Sequence, residues 1–330
     1  MTPPRLHYLP CPDAQRGHRM AWWQWGDADS PHVVVCVHGL TRQGRDFDVL
    51  AQALIAEARA RGRSLGVVCP DIAGRGKSDW LPDPMAYQIP TYVNDAALLL
   101  QQLAAQVPGR TFDWVGTSMG GLIALGVVAR LSKQAEAQAA LGQAPGGTVD
   151  GSVDGVAVPQ VPWLRRIVFN DIGPQLQWPA LQRIASYVGA PGVQFADLDE
   201  GAAYLRSVST GFGPHTAEQW AALSAPMLVE TGNGKWRLHY DPAIAESFRQ
   251  LSPEVTAQTE AVLWALYDRI DARALVLRGA DSDLLGAEAA QAMTQRGPRA
   301  RLVSFAGVGH APTLVTEDQL AVVRGFLLDD

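Results

Sequence analysis

A serine set between glycines at residues 116–120 (GTSMG) is the residue in this chain best placed to act as a nucleophile. The segment before it reads as an apolar strand, and the segment from Met119 reads as a helix. A tight strand-to-helix turn would expose the Ser118 hydroxyl, and Gly116 and Gly120 would leave room for close backbone approach. Ser118 would also stand at a helix N-terminus, where free N–H groups and the dipole favour developing negative charge. A serine that merely caps the helix is the plainer alternative, and the strand–turn–helix context outweighs it.

A hydroxyl attacks well only when a neighbouring base takes its proton. Of the seven histidines, His310 lies on a glycine-flanked loop (GVGH, 307–310) near the C-terminus, just after an apolar strand. The strand VVVCV ends in His38-Gly39-Leu40, and a sharp turn there would aim a backbone N–H at the same place. The N–H groups of Leu40 and Met119 are thus the expected oxyanion donors, and such donors contribute roughly 3–4 kcal/mol each. His38 reads as a brace for that loop rather than as the base. Three carboxylates could orient His310: Asp281 and Asp283 after the strand Ala274–Leu277, and Asp171 after the strand Ile167–Phe169. The residues alone leave that choice open. Arg42 and Arg45 follow the oxyanion turn directly. Either they pair with Asp46 or Asp48, or one of them binds a substrate carboxylate. Lys235, Arg237 and His239 are further candidates for that second role.

The elements that must position these groups alternate along the chain. Short apolar runs at 33–37, 65–69, 112–115, 167–169 and 274–277 read as strands covered on both faces. Helical patterns at 46–61, 91–106 and 119–132 separate them, which predicts a mostly parallel sheet with helices on both faces. Residues 6–8 and 20–25 add antiparallel edge strands, and 301–305 the last strand, for eight in all. A closing helix is expected at 317–328. Residues 134–160, rich in Gly, Ala and Gln, read as a mobile surface excursion without a chemical role. Residues 173–259 contain no convincing parallel strand. Their helical patterns, prolines and nine aromatics predict a helical cap over a pocket, with most of the aromatics packing the cap itself. The expected division is a core of residues 1–172 and 260–330, and a cap of 173–259.

The 330 residues are 47% hydrophobic and 18% charged, enough for one large buried core. A net charge of -6 argues against nucleic acid or an anionic membrane as partner. No apolar run reaches the length of a secretory leader or a membrane span, so a cytoplasmic protein is the default expectation. Three cysteines in no ligand pattern suggest buried thiols, with neither metal nor other cofactor expected. A small-molecule ester is the expected partner, and a second copy of the chain is kept as a candidate.

Taken in order, HGL (38–40), PDIAGRGKSD (70–79), GTSMGG (116–121), RGADSD (278–283) and GVGH (307–310) resemble the α/β-hydrolase fold superfamily, in its capped branch. The resemblance covers nearly the whole chain. It implies an α/β-hydrolase fold and a Ser-His-Asp triad cleaving a small or medium carboxylic ester through an acyl-enzyme. Intracellular oligomer hydrolases of this type suggest a carboxylate-bearing ester, such as a hydroxyalkanoate oligomer. The C–C hydrolases of the meta-cleavage-product type and acyltransferases are the alternatives. The resemblance also favours the aspartate of the Ser-Asp pair, Asp283, as the acid. Serine at 118 disfavours the branches that use an aspartate nucleophile.

Overall fold

The computed structural model describes residues 3–12, 16–140, 162–189 and 193–329. The chain begins with β1 (Arg5–Cys11), β2 (His18–Gly26) and β3 (His32–Val37), followed by α1 (Asp48–Ala60) and β4 (Gly66–Pro70). Next come α2 (Ile89–Gln106), β5 (Thr111–Thr117), α3 (Met119–Ala140) and β6 (Leu164–Asn170). After an insertion, the core resumes with β10 (Arg273–Gly279), α9 (Ala287–Met293), β11 (Arg301–Phe305) and α10 (Glu317–Leu328). The strands form one eight-stranded sheet in the order β1-β2-β4-β3-β5-β6-β10-β11. β1 and β2 run antiparallel to their neighbours, and all other pairs are parallel.

The alternation of side chains along a strand divides the core between the two faces. On β3, Val33, Val35 and Val37 pack with α2 and α3, whereas Val34 and Cys36 pack with α1 and α10. On β5, Phe112 and Trp114 face the first layer and Val115 the second. Each such buried side chain contributes roughly 1.5–3 kcal/mol relative to exposure, so the central strands cannot slip register. The parallel strands therefore end together, and the turns after β3, β5, β6, β10 and β11 gather at one edge of the sheet.

The insertion holds α4 (Trp178–Tyr187), β7 (Gln194–Phe195), α5 (Leu198–Val208), α6 (Ala217–Ser224), β8 (Leu228–Glu230), β9 (Trp236–Leu238) and α7 (Ala245–Phe248). It is not wholly helical. β7, β9 and β8 form a small antiparallel sheet over its own cluster of Phe195, Leu205, Met227 and Leu228. These strands are two or three residues long, too short to leave an alternating pattern in the sequence. α8 (Pro253–Tyr267) runs through residue 259, where the core was expected to resume, and packs against α3. The helix is begun by the Ser252 side chain, which accepts from Val255 N. α8 thus spans the expected boundary between residues 259 and 260. Of the expected excursion at 134–160, residues 134–140 complete α3, and the rest lies outside the described residues.

Candidate active site

Ser118 has φ 51°, an unfavourable angle for a residue with a side chain. The turn is held by Ser118 N–H donating to Asn170 O at 3.0 Å and Gly121 N–H donating to Ser118 O at 2.8 Å. Its glycines are steric requirements. A Cβ on Gly120 would lie 2.0 Å from Val37 O, and one on Gly116 would lie 2.5 Å from the Gly120 backbone. The start of α3 can thus approach the ends of β3 and β5 closely only with glycine at these places, and Ser118 stands at the turn between β5 and α3.

The loop after β11 brings His310 Nε2 to 3.0 Å from Ser118 Oγ. His310 Nδ1 lies 2.7 Å from Asp171 Oδ2. Asp171 is fully buried and, like Ser118, sits at a positive φ, here 55°. Its Oδ1 accepts from Gly279 N–H at 2.9 Å, and its Oδ2 also accepts from Ser282 Oγ at 2.6 Å. The carboxylate is thereby fixed from three sides. Such an acceptor-only partner requires the proton on His310 Nδ1, which leaves Nε2 as an acceptor toward Ser118.

The carboxylate beside His310 is therefore Asp171, and Asp283 is placed differently. Asp283 forms a two-pronged ion pair with Arg183 of α4, at 2.6 and 2.9 Å, with both side chains nearly half exposed. The RGADSD loop does hold Asp171, but through Ser282 and the Gly279 backbone rather than through Asp283. The side chain of Ser282 points into the protein, and its neighbours Asp281 and Asp283 face outward. Asn170 binds the elbow through its backbone, and its side chain donates to Thr117 Oγ1 at 2.9 Å and Pro312 O at 2.8 Å.

His38 is fully buried and braces the oxyanion loop. Its Nδ1–H donates to Gly39 O at 2.7 Å, and its Nε2 accepts from Ile72 N–H at 3.0 Å. Burial is the main cause that pushes its pKa down to about 3, so it stays neutral. Gly39 packs against Ser118, which brings Leu40 beside the elbow. Among the described residues, neither the Leu40 N–H nor the Met119 N–H has an intramolecular acceptor. Both are free to donate to an oxygen above Ser118.

The two arginines after the turn part company. Arg42 lines the cavity above Ser118, paired with Asp46 through Nε and Nη2 at 2.7 and 2.6 Å. Its Nη2 also donates to Leu223 O at 2.8 Å, and its guanidinium lies over the Phe212 ring. Its Nη1 makes no hydrogen bond among the described residues. Arg45 is not in the cavity wall. It pairs with Asp48 and stacks on Trp23, 4.9 Å from the ring centroid. On the cap, Lys235, Arg237 and His239 are likewise absent from the wall, and Arg237 stacks on Trp80.

The cavity has a volume of about 370 Å3. Ser118, His310 and Leu40 form its floor, and Tyr187, Tyr204, Phe212 and Tyr240 of the insertion are part of its wall. Four of the nine aromatics singled out in the sequence thus face the cavity. The described residues hold one cluster with metal-ligand spacing, Cys11, His18 and Asp95, which lies outside the cavity wall. There His18 Nε2 is already bonded to Asp95 at 2.9 Å.

Comparison with known proteins agrees with this fold. A sequence model of the alpha/beta hydrolase family matches residues 34–324. The chain is 42% identical to a 3-hydroxybutyrate-oligomer hydrolase of Cupriavidus necator, over 98% of this chain and 97% of that one. It is 29% identical to an alpha/beta hydrolase from Novosphingobium aromaticivorans, with a TM-score of 0.70 and coverage of 98% and 97%. An esterase from Mycobacterium tuberculosis shares the fold with a TM-score of 0.65 at 18% identity, covering 99% and 93%.

Proposed function

From the premise that the chain belongs to the alpha/beta hydrolase family and is a carboxylic ester hydrolase, we propose that Ser118 is its nucleophile, His310 the base and Asp171 the orienting acid. The observation that carries this is the unbroken line of hydrogen bonds from Asp171 through His310 to Ser118 at the floor of the cavity. As Ser118 Oγ bonds to the ester carbon, its proton passes to His310 Nε2, and the carbonyl electron pair moves onto oxygen. That oxygen is held by the Leu40 and Met119 N–H groups. Collapse breaks the bond to the alcohol, which leaves with the proton from His310. Water repeats the sequence on the acyl-enzyme. The Asp171 carboxylate orients the imidazole and stabilises the imidazolium.

The substrate is a short ester with a free carboxylate, of the 3-hydroxybutyrate oligomer kind. Two observations support this choice. The relative that is 42% identical bears that name, and the Arg42 Nη1 stands uncommitted in the cavity wall. Hydrolysis of 3-hydroxybutyrate dimer and trimer should be compared with that of their methyl esters and with a meta-cleavage dienoate. The free acids should be preferred about tenfold or more in kcat/KM. Equal rates on acid and methyl ester would remove the carboxylate from the reading, and turnover of the dienoate alone would replace an ester with a C–C bond.

A further inference from the structure

Arg75 is a fully buried arginine behind the site, on the turn after β4. Its partners are all neutral. Nε donates to Leu40 O at 2.8 Å, and Nη1 donates to Ala73 O at 2.6 Å and to Tyr92 Oη at 2.9 Å. Nη2 reaches the Met119 thioether at 4.0 Å. The rings of Tyr92 and Tyr87 flank the guanidinium, with centroids at 5.1 and 5.8 Å. Among the described residues it makes no ion pair with a carboxylate.

A guanidinium stays charged in any protein interior, and burying it without a counter-charge is costly. Neutral oxygens and ring faces offset part of that cost and leave the charge itself uncancelled. The two residues it touches at the site are those whose N–H groups bound the oxyanion position. We infer that Arg75 is a positioning residue for the oxyanion site, clamping Leu40 and Met119 in place while its uncancelled charge favours the negative oxygen of the tetrahedral state. The clamp follows from the contacts. The charge effect follows from the low dielectric between a buried cation and an anion formed nearby, where Coulomb attraction is far stronger than in water. A carboxylate partner would have annulled it.

This inference rests on Ser118 being the nucleophile, so the test begins by labelling that residue. A fluorophosphonate should modify the wild type and the Arg75 variants to completion, and Ser118→Ala not at all. An unlabelled wild type would sink the nucleophile reading itself. Given labelling, Arg75→Met should lower kcat about 100-fold, the usual loss when one oxyanion donor is disturbed, with KM changed less than threefold. Affinity for a trifluoromethyl ketone, whose adduct carries the oxyanion, should fall by the same factor as kcat. Affinity for the planar carboxylate product should hold. Arg75→Lys, which keeps the charge and one donor, should recover part of both losses. If Arg75→Met does not fold, Tyr92→Phe loosens the same clamp by removing one anchor, and it should lower kcat and ketone affinity together by several-fold. The inference is overturned if folded Arg75→Met stays within threefold of wild type in kcat. It is equally overturned if kcat falls while ketone affinity is unchanged, or if Arg75→Lys and Tyr92→Phe both behave as wild type.

Discussion

Replacing Asp171 by asparagine tests the arrangement of the site directly, and its size can be worked from the hydrogen bonds. The carboxylate accepts at both oxygens: Gly279 N–H at Oδ1, and Ser282 Oγ and His310 Nδ1 at Oδ2. An asparagine has one acceptor and two donor hydrogens. With its oxygen at the Oδ2 place, its NH2 would oppose the Gly279 N–H inside a dry pocket. The amide therefore keeps its oxygen toward Gly279 and turns its NH2 toward His310. Ser282 can rotate to accept, but His310 can accept only by moving its proton to Nε2, where it faces Ser118 and blocks proton transfer. Returning to the active tautomer sets N–H against N–H, at about 1–3 kcal/mol for an unsatisfied buried donor. Loss of the carboxylate also removes a charge-assisted bond to the imidazolium, about 1.5–3 kcal/mol. The two together give roughly 3–6 kcal/mol, or about 10²–10⁴ in kcat at 1.36 kcal/mol per decade. KM should change little, because the cavity wall is untouched. The assay is steady-state hydrolysis of a chromogenic butyrate ester, run beside Asp283→Asn, which should lie within about threefold of wild type. If Asp283→Asn proves the crippling change and Asp171→Asn retains more than a tenth of kcat, the reasoning fails.

Other consequences are as readily measured. The double variant Arg42→Met/Asp46→Asn removes the arginine without stranding the partly buried Asp46, and should lower kcat/KM for carboxylated esters about tenfold with neutral esters nearly unaffected. Equal losses on both would make Arg42 a brace for the turn after Leu40. His38 titrates near 6.5 when the chain is unfolded and near 3 when folded. Between those values the unfolded state binds more protons, so folding stability rises with pH and is lost as pH falls from about 6.5 toward 3. Urea unfolding of wild type and His38→Gln across that window should show a shallower slope in the variant, and parallel slopes would contradict the burial argument.

The groups legible in the sequence are those whose geometry is local to the chain. Ser118 was readable because close backbone approach demands glycine at 116 and 120, and both glycines fall within five residues of sequence. Leu40 and His310 follow strands whose apolar runs mark their ends. Which carboxylate lies beside His310 was not readable for a physical reason. Asp171 and Asp283 lie on adjacent loops, β6 and β10 being neighbours, and the choice depends on side-chain direction. The positive φ of Asp171 and the inward turn of Ser282 decide it, and neither has a residue-type signature. The ambiguity over Arg42 and Arg45 had the same source, since both pair with an aspartate three or four residues on, and only the cavity separates them. The short strands of the insertion escaped because two or three residues cannot carry a period.

The insertion is fastened unevenly to the core. Along the PDIAGRGKSD turn, Asp241 N–H donates to Gly74 O at 2.7 Å and Gly76 N–H to His239 O at 3.1 Å, and beyond that turn Tyr87 Oη donates to Asp241 at 2.6 Å. Tyr87 and Asp241 are both buried. Near the cavity mouth, α4 packs Ala180, Leu181 and Ile184 into the main core, and its polar link to the core loop is the half-exposed Arg183–Asp283 pair, a contact worth roughly 0–1 kcal/mol and weakened by salt. The two margins therefore differ in what weakens them: added salt loosens the ion pair beside the cavity and leaves the buried hydrogen bonds at the other margin intact.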